Sequence, residues 1–285
     1  MATKTSIRFF NKTPIRACYD EKTSSWFYAA TDLISILVET NNPRRYWNDV
    51  KRRNKQLYEN CVQLKLTARD GKKYLTDVLN DTEINELLLL LPNKNNDNVK
   101  KWLKGLNNPL DEQSKLKAYE LYDSGLLNEI EVGTTKGLQQ IHSYIFAGLY
   151  DFAGKIRTKT ITKDNFVFCD ARYLNDTLKN VDKMPEKTIE EIVNKYIEMN
   201  IAHPFMEGNG RSTRIWLDLI LKSNLKQCID WSKIDKKDYL EAMRKSPLNE
   251  KPILNLIKSA LTKNVDDREL FMKGIDYSYY YEEIE

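Results

Sequence analysis

Cysteine is scarce in this sequence, and the positions of its cysteines argue against two kinds of site. Cys18, Cys61, Cys169 and Cys228 are widely separated, and no two of them form a C-x-x-C pair. This spacing is unlike a disulfide framework or a structural zinc site. The pattern favours free thiols in a reducing cytoplasm.

Long apolar runs are also missing. No stretch approaches the roughly 20 residues that a membrane span requires, and the N-terminus lacks the charged-then-apolar pattern of a signal peptide. We therefore expect a cytoplasmic protein with no membrane partner. The 285 residues are 41% hydrophobic, which is typical of a folded chain long enough for two domains.

Charge is unevenly distributed along the chain. The net charge is +4, but residues 1–106 hold 19 Lys and Arg against 12 Asp and Glu, whereas the remainder holds 26 against 29. The tripeptide Asn107-Asn108-Pro109 separates the two parts and should interrupt a helix. We therefore predict two domains, residues 1–106 and 107–285.

The first domain reads as a small α+β unit with one basic segment. Residues 5–31 have the pattern of strand, turn and strand, and Pro43 suits the first turn of a helix that runs through Arg53. This helix combines Arg44, Lys51 and Arg52 with aromatic residues, so it could bind a nucleic-acid backbone. The alternative, which the residue types favour, is a buried Trp47 beneath a solvated basic face.

This domain resembles the N-terminal domain of the BRO/phage antirepressor family. The resemblance lies in residues 26–32, Trp-Phe-Tyr-Ala-Ala-Thr-Asp, and in residues 43–47 followed by Lys51-Arg52-Arg53. It implies that residues 1–106 bind DNA. Docking to another protein is the alternative, and no catalytic signature accompanies the resemblance.

The second domain is predicted to be mostly helical. Residues 135–151 carry an apolar stripe that includes His142, which we expect to be a hydrogen-bonded core residue. Residues 158–168 read as a β-hairpin with its turn at residues 163–165. Residues 188–202 form an amphipathic pattern that leads into His203 and ends before Pro204.

The segment with the most candidate functional residues is 203–214, which reads His-Pro-Phe-Met-Glu-Gly-Asn-Gly-Arg-Ser-Thr-Arg. His203 can accept a proton near neutral pH. The two glycines, Gly208 and Gly210, allow a tight turn whose N–H groups converge on an anion, and Asn209 adds a donor. The apolar residues that follow indicate a helix, whose N-terminus would favour the same anion.

The charged residues of this segment fit a magnesium-bound polyphosphate. Glu207 offers the hard oxygen ligand that Mg²⁺ takes. Arg211 and Arg214 are three residues apart, so on a helix they share a face and reach phosphate oxygens together. Taken piece by piece, a glycine turn with solvated arginines is the ordinary alternative. The combination is much harder to account for in that way.

The segment resembles the signature of the Fic family, His-Pro-Phe-x-(Asp/Glu)-Gly-Asn-Gly-Arg-x-x-Arg, without departure. The resemblance implies a protein adenylyltransferase that transfers AMP from ATP to a protein hydroxyl. His203 would be the general base, Phe205 the anchor of the loop and Glu207 the Mg²⁺ ligand. The phosphates would be bound by Gly208, Asn209, Gly210, Arg211 and Arg214.

The family resemblance also sets the expected fold. It implies a mostly α protein: a helical Fic domain with a small β-hairpin flap, preceded by the small α+β N-terminal domain. The flap would align the target by strand addition. A hairpin that only covers the core is the alternative.

The C-terminal tail is rich in tyrosine and should dock on the body of the protein. Ser278 and Glu282 resemble the family's inhibitory motif (Ser/Thr)-x-x-x-Glu-(Gly/Asn), in which the glutamate pairs with the second signature arginine, here Arg214. Glu283 departs from the motif, because Gly or Asn is expected there. A solvated acidic tail is the alternative.

These features predict a Mg-ATP-dependent AMP transferase that is inhibited by its own tail. Its partner would be a target protein with a Ser, Thr or Tyr hydroxyl, and self-modification would use one of three hydroxyls, those of Tyr279, Tyr280 and Tyr281. Two alternatives stay open: a DNA-binding regulator whose second domain senses nucleotide, and a Fic enzyme that uses another nucleotide or removes AMP. The sequence leaves the target and a homo-oligomeric state undetermined.

Overall fold

A computed structural model describes residues 3–10, 13–20, 25–58, 61–68, 72–91, 96–106, 109–163 and 166–282. The chain divides into two compact units, Met1–Asn108 and Pro109–Glu285. Three features of the sequence lie outside the described residues: the linker positions 107–108, the hairpin turn at 164–165, and Glu283.

The first unit contains an antiparallel sheet and short helices. Its strands are β1 (Thr3–Phe10), β2 (Thr13–Asp20), β3 (Ser25–Ala29), β4 (Gln63–Thr67) and β5 (Lys73–Leu79). Its helices are α1 (Ala30–Leu37), α2 (Pro43–Arg53), α3 (Lys55–Tyr58), α4 (Asp81–Leu90) and α5 (Asn96–Leu106). The strands pair in the order β1-β2-β3-β5-β4. The predicted second strand is confirmed as β3, whereas the first predicted strand is in fact two strands, β1 and β2, which pair with each other.

Helix α2 is anchored by its own aromatic residue. Pro43 is its first residue, and the side chain of Asn42 caps it by accepting from the N–H of Arg45 at 3.0 Å. Trp47 is buried, and its Nε1–H donates to Asp77 Oδ2 at 2.6 Å. Lys51 Nζ pairs with the same oxygen at 2.5 Å. The interpretation of Trp47 as a core residue is confirmed. Lys51 forms its ion pair within the same unit.

The second unit is built mainly from helices, and the mostly α fold is confirmed. Its helices are α6 (Pro109–Asp123), α7 (Thr135–Phe146), α8 (Leu174–Asp182), α9 (Ile189–Ala202), α10 (Asn209–Leu225), α11 (Lys236–Lys245), α12 (Lys251–Ala260) and α13 (Arg268–Glu282). Short 3₁₀ turns cover Leu126–Glu129 and Trp231–Lys233. None of the helices in the described ranges is both apolar enough and long enough to cross a bilayer.

Two pairs of very short strands complete this unit. Strand β6 (Thr162–Lys163) pairs with β7 (Phe166–Val167), and β8 (Cys228–Ile229) pairs with β9 (Leu261–Thr262), both antiparallel. The first pair confirms the predicted hairpin. No cysteine takes part in a disulfide within the described part of the chain.

Helix α10 is the centre of the second unit, and it contacts α7, α9 and α13. Trp216 is fully buried and donates from Nε1 to the carbonyl oxygen of Thr134 at 3.0 Å. Helix α9 begins with a capping box formed by Thr188 and Glu191. Because α9 and α10 are both packed in the core, the loop that joins them has a rigid mount.

Candidate active site

The loop between α9 and α10 is fixed by two side chains that point inward. Phe205 is fully buried, and its ring stacks on His142 with the ring centres 3.8 Å apart. The side chain of Asn209 accepts from the N–H of Phe205 and donates to its carbonyl oxygen, both at 2.8 Å. The side-chain amide of Asn209 is therefore committed to the loop itself. Only its backbone N–H fits the predicted role in phosphate binding.

The neutral ring of His142 binds the loop through a hydrogen bond. The N–H of Gly154 donates to its Nδ1 at 2.9 Å, so Nε2 carries the proton and donates to the carbonyl oxygen of Glu207, also at 2.9 Å. Burial lowers the pKa of His142 to about 4. The interpretation of His142 as a hydrogen-bonded core residue is confirmed.

His203 ends α9 in the left-handed conformation, with a φ of 49°. Its Nδ1 lies 3.3 Å from the carbonyl oxygen of Asn200, and a carbonyl can only accept, so Nδ1 carries the proton. Its ring stacks on Phe168 at 3.7 Å. Burial lowers the pKa of His203 to about 4. The ring is therefore neutral at pH 7, and Nε2 keeps the lone pair that a general base needs.

Arg211 lies between two carboxylates. Its Nη1 donates to Asp111 Oδ1 at 2.7 Å, and its Nη2 donates to Glu207 Oε1 at 3.0 Å. The guanidinium lies over the rings of Phe146 and Tyr279. Its Nε has no hydrogen-bond partner among the described residues. Such a buried, unpaired donor is consistent with a site that receives an anion.

Arg214 is buried and bound to the last helix. Its Nε and Nη2 donate to the hydroxyl and the carbonyl oxygen of Ser278 at 2.7 and 2.8 Å. Nη2 also donates to Glu282 Oε1 at 2.7 Å, and Nη1 donates to the hydroxyl of Tyr239 at 3.2 Å. Although burial opposes its charge, the groups around it, chiefly Tyr239 and Glu282, raise the pKa of Arg214.

The carboxylate of Glu282 lies directly on the glycine turn. A Cβ atom placed on Gly210 would overlap Glu282 Oε1. Lys163 of the hairpin lies 3.7 Å from the other oxygen, Oε2. Burial opposes ionisation, but the Coulomb attraction and hydrogen bond of Arg214 hold the pKa of Glu282 below its usual value. An anionic group of this chain therefore occupies the N-terminus of α10.

The structure gathers the residues that the sequence singled out. His203, the glycine turn, both arginines and the pair Ser278 and Glu282 meet around the start of α10. Sequence reasoning missed Asp111, Asn200 and Phe168, since nothing in their local sequence marks them. Asp111 belongs to α6, Asn200 to α9, and Phe168 follows β7.

The hydroxyls of the three tail tyrosines differ in environment. The hydroxyl of Tyr279 donates to Ser114 at 2.6 Å, and that of Tyr281 donates to the carbonyl oxygens of Trp231 and Ile234 at 3.0 and 2.9 Å. Both rings are buried, whereas Tyr280 is partly exposed.

Part of the second unit is similar to a known protein family. Residues 133–221 match the profile of the Fic/DOC family, and they include α7, the loop between α9 and α10, and most of α10. These residues are therefore similar to a Fic domain. The match covers about a third of the chain, and it includes neither the first unit nor α13.

Curated proteins that are similar to this part of the chain are named protein adenylyltransferases. A probable protein adenylyltransferase Fic from Escherichia coli K12 is 23% identical over 143 residues, which cover 46% of this chain and 71% of that protein. Protein adenylyltransferase VbhT from Bartonella schoenbuchensis is 24% identical over 169 residues, or 54% of this chain. The match spans only 34% of VbhT.

Some solved structures have a limited likeness to this chain. One is the N-terminal Fic domain of a Bartonella effector protein from Bartonella sp. AR 15-3, with 18% identity and a TM-score of 0.47 over 54% of this chain and 82% of that one. Another is BepC from Bartonella tribocorum with bound AMPPNP, with 18% identity and a TM-score of 0.45 over 54% and 87%.

Proposed function

We propose that this protein transfers AMP from Mg-ATP to a hydroxyl side chain of a target protein, and that α13 inhibits the transfer. The observation that carries the proposal is the neutral ring of His203, whose Nε2 is unprotonated. Two buried arginines and the N-terminus of α10 belong to the same site. Such a combination of base and anion site is what nucleotidyl transfer to a hydroxyl requires. The names of the curated relatives support the same reaction.

The phosphate site would be formed at the start of α10. Gly208 has a φ of 77° and directs the backbone into the helix, so the first N–H groups of α10 can point at an anion. Arg211 and Arg214 would bind the terminal phosphates. Each already holds a carboxylate, which supports a role for both arginines in binding an anion.

Glu207 fits the role of a magnesium ligand. Its side chain is 58% exposed, and one oxygen accepts from Gly208 N–H and Arg211. Mg²⁺ commonly takes one or two protein carboxylates, and the substrate phosphates and water complete its coordination. When bound, the ion would neutralise charge on the phosphates. This chain's residues would perform the positioning and the proton transfer.

The proposed reaction is an in-line displacement. The target hydroxyl transfers its proton to Nε2 of His203 while its oxygen bonds to the α-phosphorus. The bond from the α-phosphorus to the bridging oxygen breaks, and pyrophosphate leaves with the electron pair. The arginines stabilise the departing charge.

Inhibition by α13 is supported by competition for the same groups. Glu282 occupies the anion position over Gly210 and binds Arg214, so ATP would have to displace it. Helix α13 is held by further bonds, because Tyr119 donates to Asp276 at 2.8 Å and Arg268 pairs with Asp123 at 2.7 Å. We therefore assign Ser278 and Glu282 to the inhibitory motif.

The test is incorporation of label from α-labelled ATP into protein. Glu282→Gly should raise labelling above the wild type, and adding His203→Ala should abolish it. Comparison with labelled UTP, CTP and GTP decides the base, and incubation of AMP-modified protein with enzyme detects AMP removal. Equal labelling of protein by the wild type and by Glu282→Gly would refute the proposal that α13 inhibits the transfer. For self-modification, Tyr280 is the favoured acceptor, because it is partly exposed.

A second function, DNA binding, is favoured by the exposed basic residues of α2. Arg44, Arg45, Arg52 and Arg53 are all exposed, although Arg52 pairs with Asp49 at 2.8 Å. The full chain should then bind duplex DNA with an affinity that falls steeply with salt, and Arg44→Glu with Arg45→Glu should weaken it. Absence of binding at low salt would make the first unit a protein-docking module.

A further inference from the structure

Arg157 is a buried arginine that binds only backbone carbonyls among the described residues. Only 4% of the surface of this residue is exposed. Its guanidinium donates to four carbonyl oxygens, which belong to Lys159 (2.5 Å), Cys169 (2.5 Å), Ala202 (3.0 Å) and His203 (2.7 Å). No described residue forms an ion pair with it, so its direct partners are carbonyl dipoles.

These four carbonyls come from two places that matter for catalysis. Ala202 and His203 form the end of α9, where carbonyls lack intrahelical partners and carry partial negative charge. Lys159 and Cys169 lie just outside the two strands of the hairpin β6–β7. One planar cation therefore ties both ends of the hairpin to the backbone of the catalytic histidine.

Burying an unpaired cation is costly, so this arrangement calls for a reason beyond packing. Burial lowers the pKa of Arg157, which the nearby Cys169 and Asp170 partly offset. No neutral side chain offers enough donors in one plane for four carbonyls. The arrangement suits a requirement for fixed geometry.

The geometry fixed by Arg157 is that of His203. With a φ of 49°, His203 adopts a conformation that residues with a Cβ rarely take. Two backbone contacts reinforce it: Arg157 N–H donates to the carbonyl of Pro204 at 2.8 Å, and Cys169 N–H donates to that of Ile201 at 3.1 Å. The same segment carries Phe168, which stacks on the histidine ring.

We propose that Arg157 is the positioning residue of the base: it holds His203 in the orientation that exposes Nε2 and couples this orientation to the hairpin on which a target strand would dock. This inference rests on the proposed role of His203. Arg157 does not touch the reacting atoms, and it acts through the backbone of His203 and through the stacked Phe168.

The chain offers a direct test, because it has only two histidines. In ¹⁵N-histidine-labelled full chain, the protonated and unprotonated ring nitrogens of a neutral imidazole are well separated in chemical shift. His203→Ala assigns the signals. We expect His203 with its proton on Nδ1 and His142 with its proton on Nε2, as their hydrogen bonds require.

Arg157→Gln removes the planar cation. We expect the His203 signals to move towards a mixture of both tautomers, while His142 keeps its pattern and so reports that the core is intact. Arg157→Lys keeps the charge but loses the planar arrangement, so it should fall between wild type and Arg157→Gln. Arg172→Gln is the matched control, because this nearby arginine is exposed, and its contacts among the described residues are the ion pair with Asp170 and the ring of Tyr173. It should change neither histidine.

Activity supplies the second readout. In a Glu282→Gly background, Arg157→Gln should lower kcat for AMP transfer by about 10- to 100-fold, the loss expected when a catalytic group is displaced by about 1 Å. KM for ATP should stay within about twofold, since the phosphate site is formed by α10. Arg157→Lys should restore part of kcat.

Each result decides the proposal. An unchanged His203 tautomer in Arg157→Gln, or loss of the His142 pattern along with that of His203, would overturn it, the latter because it marks a general folding role. If Arg157→Gln does not fold, Arg157→Lys carries the test, and wild-type His203 signals with wild-type kcat in that variant overturn the proposal. Absence of AMP transfer in the Glu282→Gly parent would count against the proposed function. The tautomer of His203 would then be the measurement that tests the role of Arg157.

Discussion

If Glu282 inhibits the site as proposed, removal of its carboxylate should allow ATP to bind more tightly. In the structure this carboxylate forms a 2.7 Å charged hydrogen bond with Arg214 and covers Gly210. Helix α13 keeps its other contacts, because Ser278 still accepts two bonds from Arg214. Glu282→Ala therefore frees the anion position without detaching the helix.

The magnitude follows from the bond that ATP must replace. A hydrogen bond to a charged group contributes about 1.5–3 kcal/mol, and each 1.4 kcal/mol changes an equilibrium constant about tenfold. Because Glu282 is partly exposed and Ser278 continues to engage Arg214, we expect the lower part of this range, about 10- to 50-fold tighter binding.

The assay is calorimetric titration of Mg-ATP into Glu282→Ala in a His203→Ala background, which prevents turnover. Glu282→Gln is the matched control: it keeps a hydrogen-bond acceptor without the charge, so its affinity should be intermediate. The apparent unfolding temperature of Glu282→Ala should fall without nucleotide, because Arg214 loses its carboxylate partner, and should recover with Mg-ATP. A dissociation constant within twofold of the parent would refute the reasoning.

Three further predictions concern stability and the loop. His142 and His203 are neutral in the folded protein with pKa values near 4, against 6.5 for a free imidazole, so their contribution is complete above pH 6.5 and is lost as pH falls towards 4; thermal melts across this range should show it, and the loss should be smaller in His142→Gln. Gly210→Ala should displace the Glu282 carboxylate by steric overlap and also weaken ATP binding, as titration would detect. Asp77→Ala should lower the unfolding temperature, since Trp47 and Lys51 both lose their shared acceptor.

Much of the loop between α9 and α10 could be predicted because its signal is local. A histidine, two glycines and two arginines seldom occur together within twelve residues by chance, and α9 and α10 have clear apolar patterns. The hairpin and the docked tail could be predicted for the same reason: their residue types are distinctive over short stretches.

The missing parts depend on contacts between distant positions. Asp111 reaches Arg211 across 100 residues of sequence, and Arg157 reaches His203 across 46. No local pattern specifies such pairs. Asn209 illustrates the opposite error, because its residue type predicts a side chain that serves an anion, whereas Phe205 uses that side chain.

Strands β4 and β5 show a third limit. They fall between basic and polar residues, and the exposed side chains of Tyr74 and Leu75 break the alternation that identifies a half-buried strand. Pairing of β5 with β3 through Tyr28 and Leu79 places them in the sheet. That pairing is a tertiary feature, which the order of residues alone does not reveal.

The central claim is that a neutral His203 beside the anion site drives transfer of the AMP group. Glu282→Gly should be incubated in parallel with α-labelled and γ-labelled ATP, with and without His203→Ala. The claim predicts protein-bound label from the α-labelled nucleotide alone, and none once His203 is replaced. Label retained from the γ-position, or α-label that persists in the His203→Ala variant, would contradict it.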